Sequence, residues 1–74
     1  MDGTKSYYID VDGIKMPLLT QLKQLNLQFK GTFPVYLKIA DKTIMTHRKY
    51  WVVEDALYQR ELEHLIGKGR VWVV

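Results

Sequence analysis

The chain has 74 residues and a formal net charge of +3; 47% of its residues are hydrophobic and none is cysteine. This length allows one small domain, and the apolar content excludes a disordered tail. The absence of cysteine excludes disulfides, a thiol nucleophile and a cysteine-based zinc site. We therefore expect packing, or a partner subunit in a homodimer, to stabilise a core of marginal size.

The sequence predicts neither export nor insertion into a membrane. Its first residues lack an apolar stretch behind a basic head, and no apolar run approaches the roughly 20 residues that span a bilayer. We expect a cytoplasmic protein of a prokaryote, or of a virus acting in the host cytoplasm, with no membrane partner.

A β-hairpin is predicted near the start of the chain. Tyr7–Val11 is rich in β-forming residues, and Asp12-Gly13 separates it from a short run at 14–16. Asp-Gly between two such runs favours a tight turn, because glycine accepts a positive φ. We expect strands near 6–11 and 14–16.

A short helix is predicted to follow, over residues 17–25. Pro17 suits the first helical position, where its missing N–H costs nothing, and apolar residues at 18, 22, 25 and 29 form a helical stripe. Residues 25–29 also alternate with period two, so whether they are helix or strand stays open. Lys30-Gly31-Thr32 ends whichever element precedes it.

A second hairpin is predicted in the middle of the chain. Apolar residues at 35, 37 and 39 alternate with Tyr36 and Lys38, which indicates a half-buried strand. Pro34 places the start of this strand at an edge or just outside a sheet. Residues 40–42 form a polar turn and 43–46 the returning strand, while 50–53 are a further strand or a continuation of that one.

The clearest helix is predicted over residues 54–66. Glu54 and Asp55 lie in its first turn, where the macrodipole favours acids, and apolar residues at 58, 62, 65 and 66 share one face. Gly67 occupies the position of a left-handed C-cap, and Val71–Val74 forms a terminal strand. The order is β-β-α-β-β-(β)-α-β in a single domain over residues 1–74, an α+β fold with a small antiparallel sheet packed by one or two helices.

Positive charge is concentrated in the middle of the chain. Between Gly13 and Val53, seven basic side chains stand against a single acid, Asp41. A field of one sign in so small a domain attracts anions, and nucleic acid is the commonest large anion. The seven basic residues are Lys15, Lys23, Lys30, Lys38, Lys42, Arg48 and Lys49.

The segment His47–Trp51 joins cations to aromatic rings. Cations engage phosphates, and aromatic faces stack on unpaired bases. Burial in the core is the favoured interpretation for Trp51. The alternative to a binding role for the other residues is that Tyr50 belongs to the core or the sheet and that Arg48 and Lys49 lie in a solvated loop. The predicted nucleic-acid-binding residues are Lys38, Lys42, Arg48 and Lys49 on phosphates, with Tyr36 or Tyr50 on bases or sugars.

Other motifs are explained better by structure than by chemistry. Gly67–Arg70 leaves a helix at its negative end, so a C-cap is favoured over an anion site. Asp10–Gly13 lacks two of the ligands of a calcium loop, and the Glu61-x-x-His64 pair stands alone on a helix surface. No nucleophile–base–acid set stands out. We therefore predict no enzyme, no metal site and no cofactor.

Residues 35–66, a hairpin with basic residues and then a helix, are loosely similar to the wing region of small phage excisionases, which also have a helix-turn-helix before the wing. The predicted function is a small nucleic-acid-binding or regulatory protein of phage or plasmid type. One alternative is an interaction module, an inhibitor or adaptor, that docks on an acidic protein partner through the edge strands Tyr7–Val11 or Val71–Val74. The other is a structural subunit of a larger assembly.

Overall fold

The computed structural model describes residues 5–74. Within this range, strands and α-helices are joined by short connections and two 3₁₀ turns. The strands and helices are β1 (Tyr7–Asp10), α1 (Met16–Gln28), β2 (Lys30–Phe33), β3 (Val35–Ile39), β4 (Lys42–Met45), α2 (Ala56–Ile66) and β5 (Val71–Val73). The 3₁₀ turns are Arg48–Tyr50 and Lys68–Arg70.

Four strands form one sheet in the order β4-β3-β1-β5. The two central strands, β1 and β3, are parallel, and each pairs antiparallel with one edge strand. The predicted α+β class is confirmed, but the sheet is mixed rather than antiparallel. The reason is that α1 carries the chain back to the end of the sheet at which β1 starts, so that β3 runs in the same direction as β1.

Both helices pack on one face of this sheet. Tyr7 of β1 and Val35 of β3 are fully buried there, against Leu22 of α1 and Leu62 of α2. The rings of Tyr7 and Tyr58 meet edge to face, with their centroids 5.2 Å apart. Each fully buried apolar side chain contributes roughly 1.5–3 kcal/mol to stability, so this layer between helices and sheet is the core of the domain.

The predicted first hairpin is wrong, although its turn exists. Gly13 has a φ of +78°, and Asp10 Oδ1 accepts a hydrogen bond from the Asp12 N–H at 2.9 Å. The chain then enters α1 instead of a second strand, because β3 and β5 already occupy both sides of β1. Tyr7–Val11 is therefore not an edge strand and cannot offer a partner an open edge.

Residues 25–28, which the sequence left open between helix and strand, are helical. Helix α1 continues through Gln28 and ends at Phe29, so residues 25–29 do not form a strand. The predicted strand at 50–53 is also wrong, since the 3₁₀ turn occupies its first residue and only Val52 forms bridges, to Lys30 and Phe33. Helix packing decides both outcomes: one face of α1, from Leu18 to Phe29, packs against the core, and Val52 is fully buried in that core.

The later elements follow their local signals. The strand over Val35–Ile39 is confirmed, and the return strand is shifted by one residue. The helix predicted over 54–66 is confirmed as α2 but begins at Ala56, so the prediction that Glu54 and Asp55 lie in its first turn is wrong. Asp55 is instead the N-cap, since its Oδ1 accepts hydrogen bonds from the N–H groups of Leu57 at 2.7 Å and Tyr58 at 3.3 Å. Gly67 ends the helix with a φ of +108°, a value that favours glycine.

The described residues 5–74 contain neither a candidate membrane-spanning helix nor a candidate metal site. No helix there has both the length and the apolar character needed to cross a membrane. The same residues contain no group of three or more His, Cys, Asp or Glu side chains placed to hold a metal ion.

Candidate nucleic-acid interface

A row of large side chains crosses the face of the sheet that the helices leave open. The strand register aligns Trp72 of β5 with Tyr8 of β1, Tyr8 with Tyr36 of β3, and Tyr36 with Met45 of β4. Residues directly opposite one another on paired strands share a face. The four side chains therefore form one continuous row across all four strands, which we call the aromatic row.

The aromatic row is ordered internally and accessible to solvent. The rings of Tyr8 and Tyr36 stack, with centroids 4.8 Å apart and planes only 9° from parallel. Trp72 is 43% exposed and Met45 is 54% exposed. None of these four side chains belongs to the hydrophobic cluster around the core. Contiguous exposed apolar patches are typical of interaction surfaces.

A cation lies beside the row. Lys38 follows Tyr36 by two residues on the same face of β3, and its Nζ lies 5.9 Å from the centroid of the Trp72 ring. Lys38, Thr43 of β4 and Val74 join Tyr8 and Trp72 around a shallow pocket of about 290 Å³. Small-ligand pockets begin at roughly 300 Å³, so the volume of this pocket is at the lower end of that range.

The acid on this face is already paired. Asp10 lies opposite Lys38 in the register of β1 and β3. Its carboxylate is 3.8 Å from Arg70 Nη1, which also donates hydrogen bonds to the backbone oxygens of Asp12 at 3.0 Å and Asp10 at 3.3 Å. Arg70 therefore fixes the end of β1, which supports the structural interpretation of the Gly67–Arg70 segment.

A basic groove adjoins the Met45 end of the row. It has a volume of about 540 Å³ and is open to solvent. Its cations come from β2 and from the 3₁₀ turn, and none of its lining side chains is a carboxylate. Because Met45 belongs to both the row and the groove, the two form one continuous surface. The groove is lined by Lys30, Met45, Thr46, His47, Arg48, Lys49 and Trp51.

Hydrogen bonds hold the 3₁₀ turn that carries Arg48 and Lys49. At its start, His47 Nδ1 accepts from the Lys49 N–H at 3.0 Å, and Trp51 Nε1 donates to the Thr46 carbonyl at 3.2 Å. These bonds fix the backbone on both sides of the turn. Two of the groove's cations are thus attached to an ordered segment of backbone.

A buried amide connects this turn to both helices. Asn26 of α1 is only 3% exposed, and its Nδ2 donates to the Tyr50 carbonyl at 2.9 Å. Its Oδ1 accepts from the Tyr58 hydroxyl of α2 at 2.7 Å. Burial raises the pKa of Tyr58 above its ordinary value, so this hydroxyl keeps its proton and remains a donor. Asn26 therefore joins the interior of the fold to the 3₁₀ turn that carries Arg48 and Lys49.

The structure separates the predicted binding residues into groups. Tyr36 and Lys38 lie on the open face, and Arg48 and Lys49 line the groove. Lys42 pairs with Ile39 at the tip of the β3–β4 hairpin, on the opposite side of the sheet from Lys38. Of the six predicted residues, two therefore lie on the open face and two line the groove that adjoins it at Met45.

Tyr50 lies apart from the open face. It is half-buried beside α1, with Lys23 Nζ 6.0 Å and Lys49 Nζ 5.2 Å from its ring centroid. Its neighbour Trp51 is half-buried and packs against the core while one part lines the groove. The 3₁₀ turn thus places Arg48 in the groove and Tyr50 beside α1. The predicted strand over 50–53 did not include this turn.

Sequence reasoning missed Trp72, Tyr8, Met45 and Lys30. A signal existed for Trp72: in Val71-Trp72-Val73 the period of two places tryptophan opposite the valines, which are the half-buried residues of β5. Tyr8 similarly lies between the buried Tyr7 and Ile9. No local signal indicates that these residues align with Tyr36, because strand order is not encoded within any one segment.

The fold defines a small α+β domain with two layers and one open sheet face. No family model, no curated protein and no solved structure matches this chain. The aromatic row and the basic groove are therefore the features from which a function can be inferred.

Proposed function

We propose that this protein binds single-stranded nucleic acid across the open face of its sheet. The observation that carries the proposal is the continuity of two surfaces with complementary chemistry. Trp72, Tyr8 and Tyr36 present aromatic rings, and the basic groove begins at Met45, next to the last of them. A polymer with alternating flat bases and anionic phosphates matches both surfaces at once.

The aromatic row favours a single strand over a duplex. In a duplex the faces of the bases are covered by neighbouring base pairs, so protein rings cannot stack on them without disrupting the helix. Unpaired bases offer these faces, and each stacked base is worth about 1–3 kcal/mol. The class of target is therefore single-stranded DNA, single-stranded RNA or the unpaired loop of an RNA hairpin.

The cations supply affinity that does not depend on sequence. Lys30, Arg48 and Lys49 line the groove and Lys38 stands on the open face, so four cations are placed to neutralise phosphates. Single-strand affinity changes with salt by a slope of about −0.7 per neutralised phosphate, which gives roughly −3 for four contacts. The proposal is thus a salt-dependent binder with little preference among bases. A phage or plasmid origin remains a prediction.

Fluorescence anisotropy tests this proposal with three labelled probes: a single strand, a duplex of the same sequence and an RNA hairpin. Each is titrated at low and at physiological salt. We expect the single strand and the hairpin loop to bind more tightly than the duplex, with steep salt dependence. Equal affinity for single strand and duplex would contradict the role of the aromatic row, and flat titrations at both salts would refute the proposal.

A charge-reversal pair locates the binding site. Arg48→Glu with Lys49→Glu should remove most of the affinity, because two groove cations become anions. The matched control is Arg60→Glu with Lys68→Glu, which reverses two exposed cations outside the groove. Both double variants lower the formal net charge by four, from +3 to −1. Equal loss in both would show that binding follows net charge alone and that the groove is not the site.

A further inference from the structure

We infer that the open-face pocket to which Trp72 contributes its ring holds one unpaired base stacked on Trp72, and that the nucleic-acid strand runs from there across the sheet into the basic groove. This inference rests on the proposed function and adds a position and a path to it. The pocket lies between β1, β3, β4 and β5, where Trp72, Tyr8, Lys38, Thr43 and Val74 surround about 290 Å³.

The packing of the row determines where a base can enter. Tyr8 and Tyr36 already stack on each other with centroids 4.8 Å apart, and stacked aromatic pairs favour separations of this size. A base inserted between them would have to break that contact. The accessible ring is Trp72, which is 43% exposed at the sheet edge. The pocket beside Trp72 is therefore the stacking site that the row leaves available.

Lys38 gives the pocket a second function. In the structure its ammonium lies 5.9 Å from the Trp72 ring centroid, where it is attracted to the ring face. An entering base takes the place of this ammonium on the ring. The base brings a phosphate with it, and the displaced Lys38 can then pair with that phosphate. The exchange replaces a cation–ring contact with base stacking and a charge pair, so it favours a nucleotide over an uncharged aromatic ligand.

The path follows from the positions of the two ends. Trp72 is on one edge strand and Met45 on the other, and neighbouring strands lie about 4.8 Å apart, so the row spans roughly 14 Å. At the stacked spacing of about 3.4 Å per nucleotide, roughly four nucleotides cover this distance. Beyond Met45 the groove offers Lys30 and Arg48 to the following phosphates. The strand therefore crosses the sheet perpendicular to its β-strands.

Tryptophan emission provides a local test, because the chain has two tryptophans, Trp51 in the groove and Trp72 in the pocket. In the variant Trp51→Phe, all tryptophan emission comes from Trp72. Titration with an oligothymidine of eight nucleotides should quench this emission in parallel with the anisotropy of a labelled copy of the same oligomer. Thermal unfolding followed by circular dichroism checks that the variant is folded.

Two further variants separate stacking from charge. Trp72→Ala should weaken binding about 5- to 150-fold, the range that corresponds to one stacked base. Lys38→Met should make the salt slope less steep by about 0.7, while Trp72 remains quenched at saturation. The exposed control Leu57→Ala on α2 should leave affinity unchanged.

The outcomes distinguish this inference from the proposed function. Quenching of Trp72 together with weakened binding of Trp72→Ala supports the base pocket. Normal binding by anisotropy with unquenched Trp72 emission, or wild-type affinity in Trp72→Ala, would overturn the pocket and leave single-strand binding intact. No binding of the oligomer by the wild-type protein would overturn both. A length series from two to eight nucleotides should reach full affinity at roughly four or more, the number that spans the row.

Discussion

Substitution of Asn26 by leucine is expected to destabilise the domain and loosen the basic groove together. Asn26 is 3% exposed, and leucine has a similar volume, so the change removes polarity with little change in packing. It breaks the hydrogen bond from Asn26 Nδ2 to the Tyr50 carbonyl at 2.9 Å and the one from the Tyr58 hydroxyl to Asn26 Oδ1 at 2.7 Å.

The expected magnitude follows from the groups that lose a partner. The Tyr58 side chain is fully buried and Tyr50 is half-buried, and an unsatisfied buried polar group costs about 1–3 kcal/mol. Burial of the leucine side chain offsets about 1 kcal/mol of this. Two such groups and this offset give a net loss of about 1–5 kcal/mol, a substantial part of the roughly 4–11 kcal/mol expected of a chain of 74 residues.

Urea unfolding measures this loss, and thermal unfolding should show a decrease in Tm of about 4–8 °C for each kcal/mol lost. The matched variant is Tyr58→Phe, which keeps the ring and removes the hydroxyl. In the double variant, Asn26→Leu with Tyr58→Phe, the Tyr58 hydroxyl that Asn26→Leu leaves without a partner no longer exists. The cost of Asn26→Leu should therefore be smaller by about 1 kcal/mol when residue 58 is phenylalanine.

Two results would refute this reasoning. One is an Asn26→Leu variant whose free energy of unfolding lies within about 0.5 kcal/mol of wild type, the range of an ordinary surface change. The other is strict additivity in the double variant, which would mean that Asn26 and Tyr58 do not share a hydrogen bond. Oligonucleotide affinity measured well below the Tm adds a second readout, because the turn that carries Arg48 and Lys49 loses its attachment to α1.

Three other changes have defined outcomes. Gly31→Ala should cost about 1–3 kcal/mol, because the new Cβ would lie 2.6 Å from backbone atoms of Val52 and Val53, whereas Gly69→Ala, which meets nothing within 4 Å, should be tolerated in the same urea assay. Asp55→Ala should cost about 0.5–2 kcal/mol through loss of the α2 N-cap, and retention of full stability would show that the cap is dispensable. Burial raises the pKa of Tyr58 above its unfolded value of about 10. Below pH 10 both states keep the proton, so this group does not change the free energy of unfolding. Above pH 10 the unfolded state releases the proton first, and the free energy of unfolding falls by up to about 1.4 kcal/mol per pH unit. Urea titrations between pH 8 and about 11.5 should show a shallower loss in Tyr58→Phe, and equal slopes would contradict this.

Local signals were sufficient for the β3–β4 hairpin, for α2 and for β5. In each case the elements that pack against the segment accept the structure that its own residues favour. Asp55 caps α2 and Gly67 ends it through interactions within a few residues, and the alternation over Val35–Ile39 needs only one buried face. Such features are determined by the sequence because their energetics are contained within the segment.

Long-range pairing overrode local signals elsewhere. Asp12-Gly13 forms a turn in the structure as in the prediction, yet no strand follows, because both sides of β1 are taken by β3 and β5 from later in the chain. The segment at 50–53 has strand-forming residues but forms a 3₁₀ turn and a single bridged residue, held by Asn26 and by β2. Strand propensity in this segment is therefore outweighed by its tertiary contacts.

The candidate site shows the same division. The amino-acid sequence is enough to show that positive charge is concentrated in the middle of the chain and that Tyr36 and Lys38 share one face of a strand. Strand order and register were needed to show that Trp72 and Tyr8 join Tyr36 in one row and that Lys42 lies on the opposite face. A single strand fixes which of its own residues share a face, whereas the residues that meet across strands depend on order and register, and therefore on how the whole core packs.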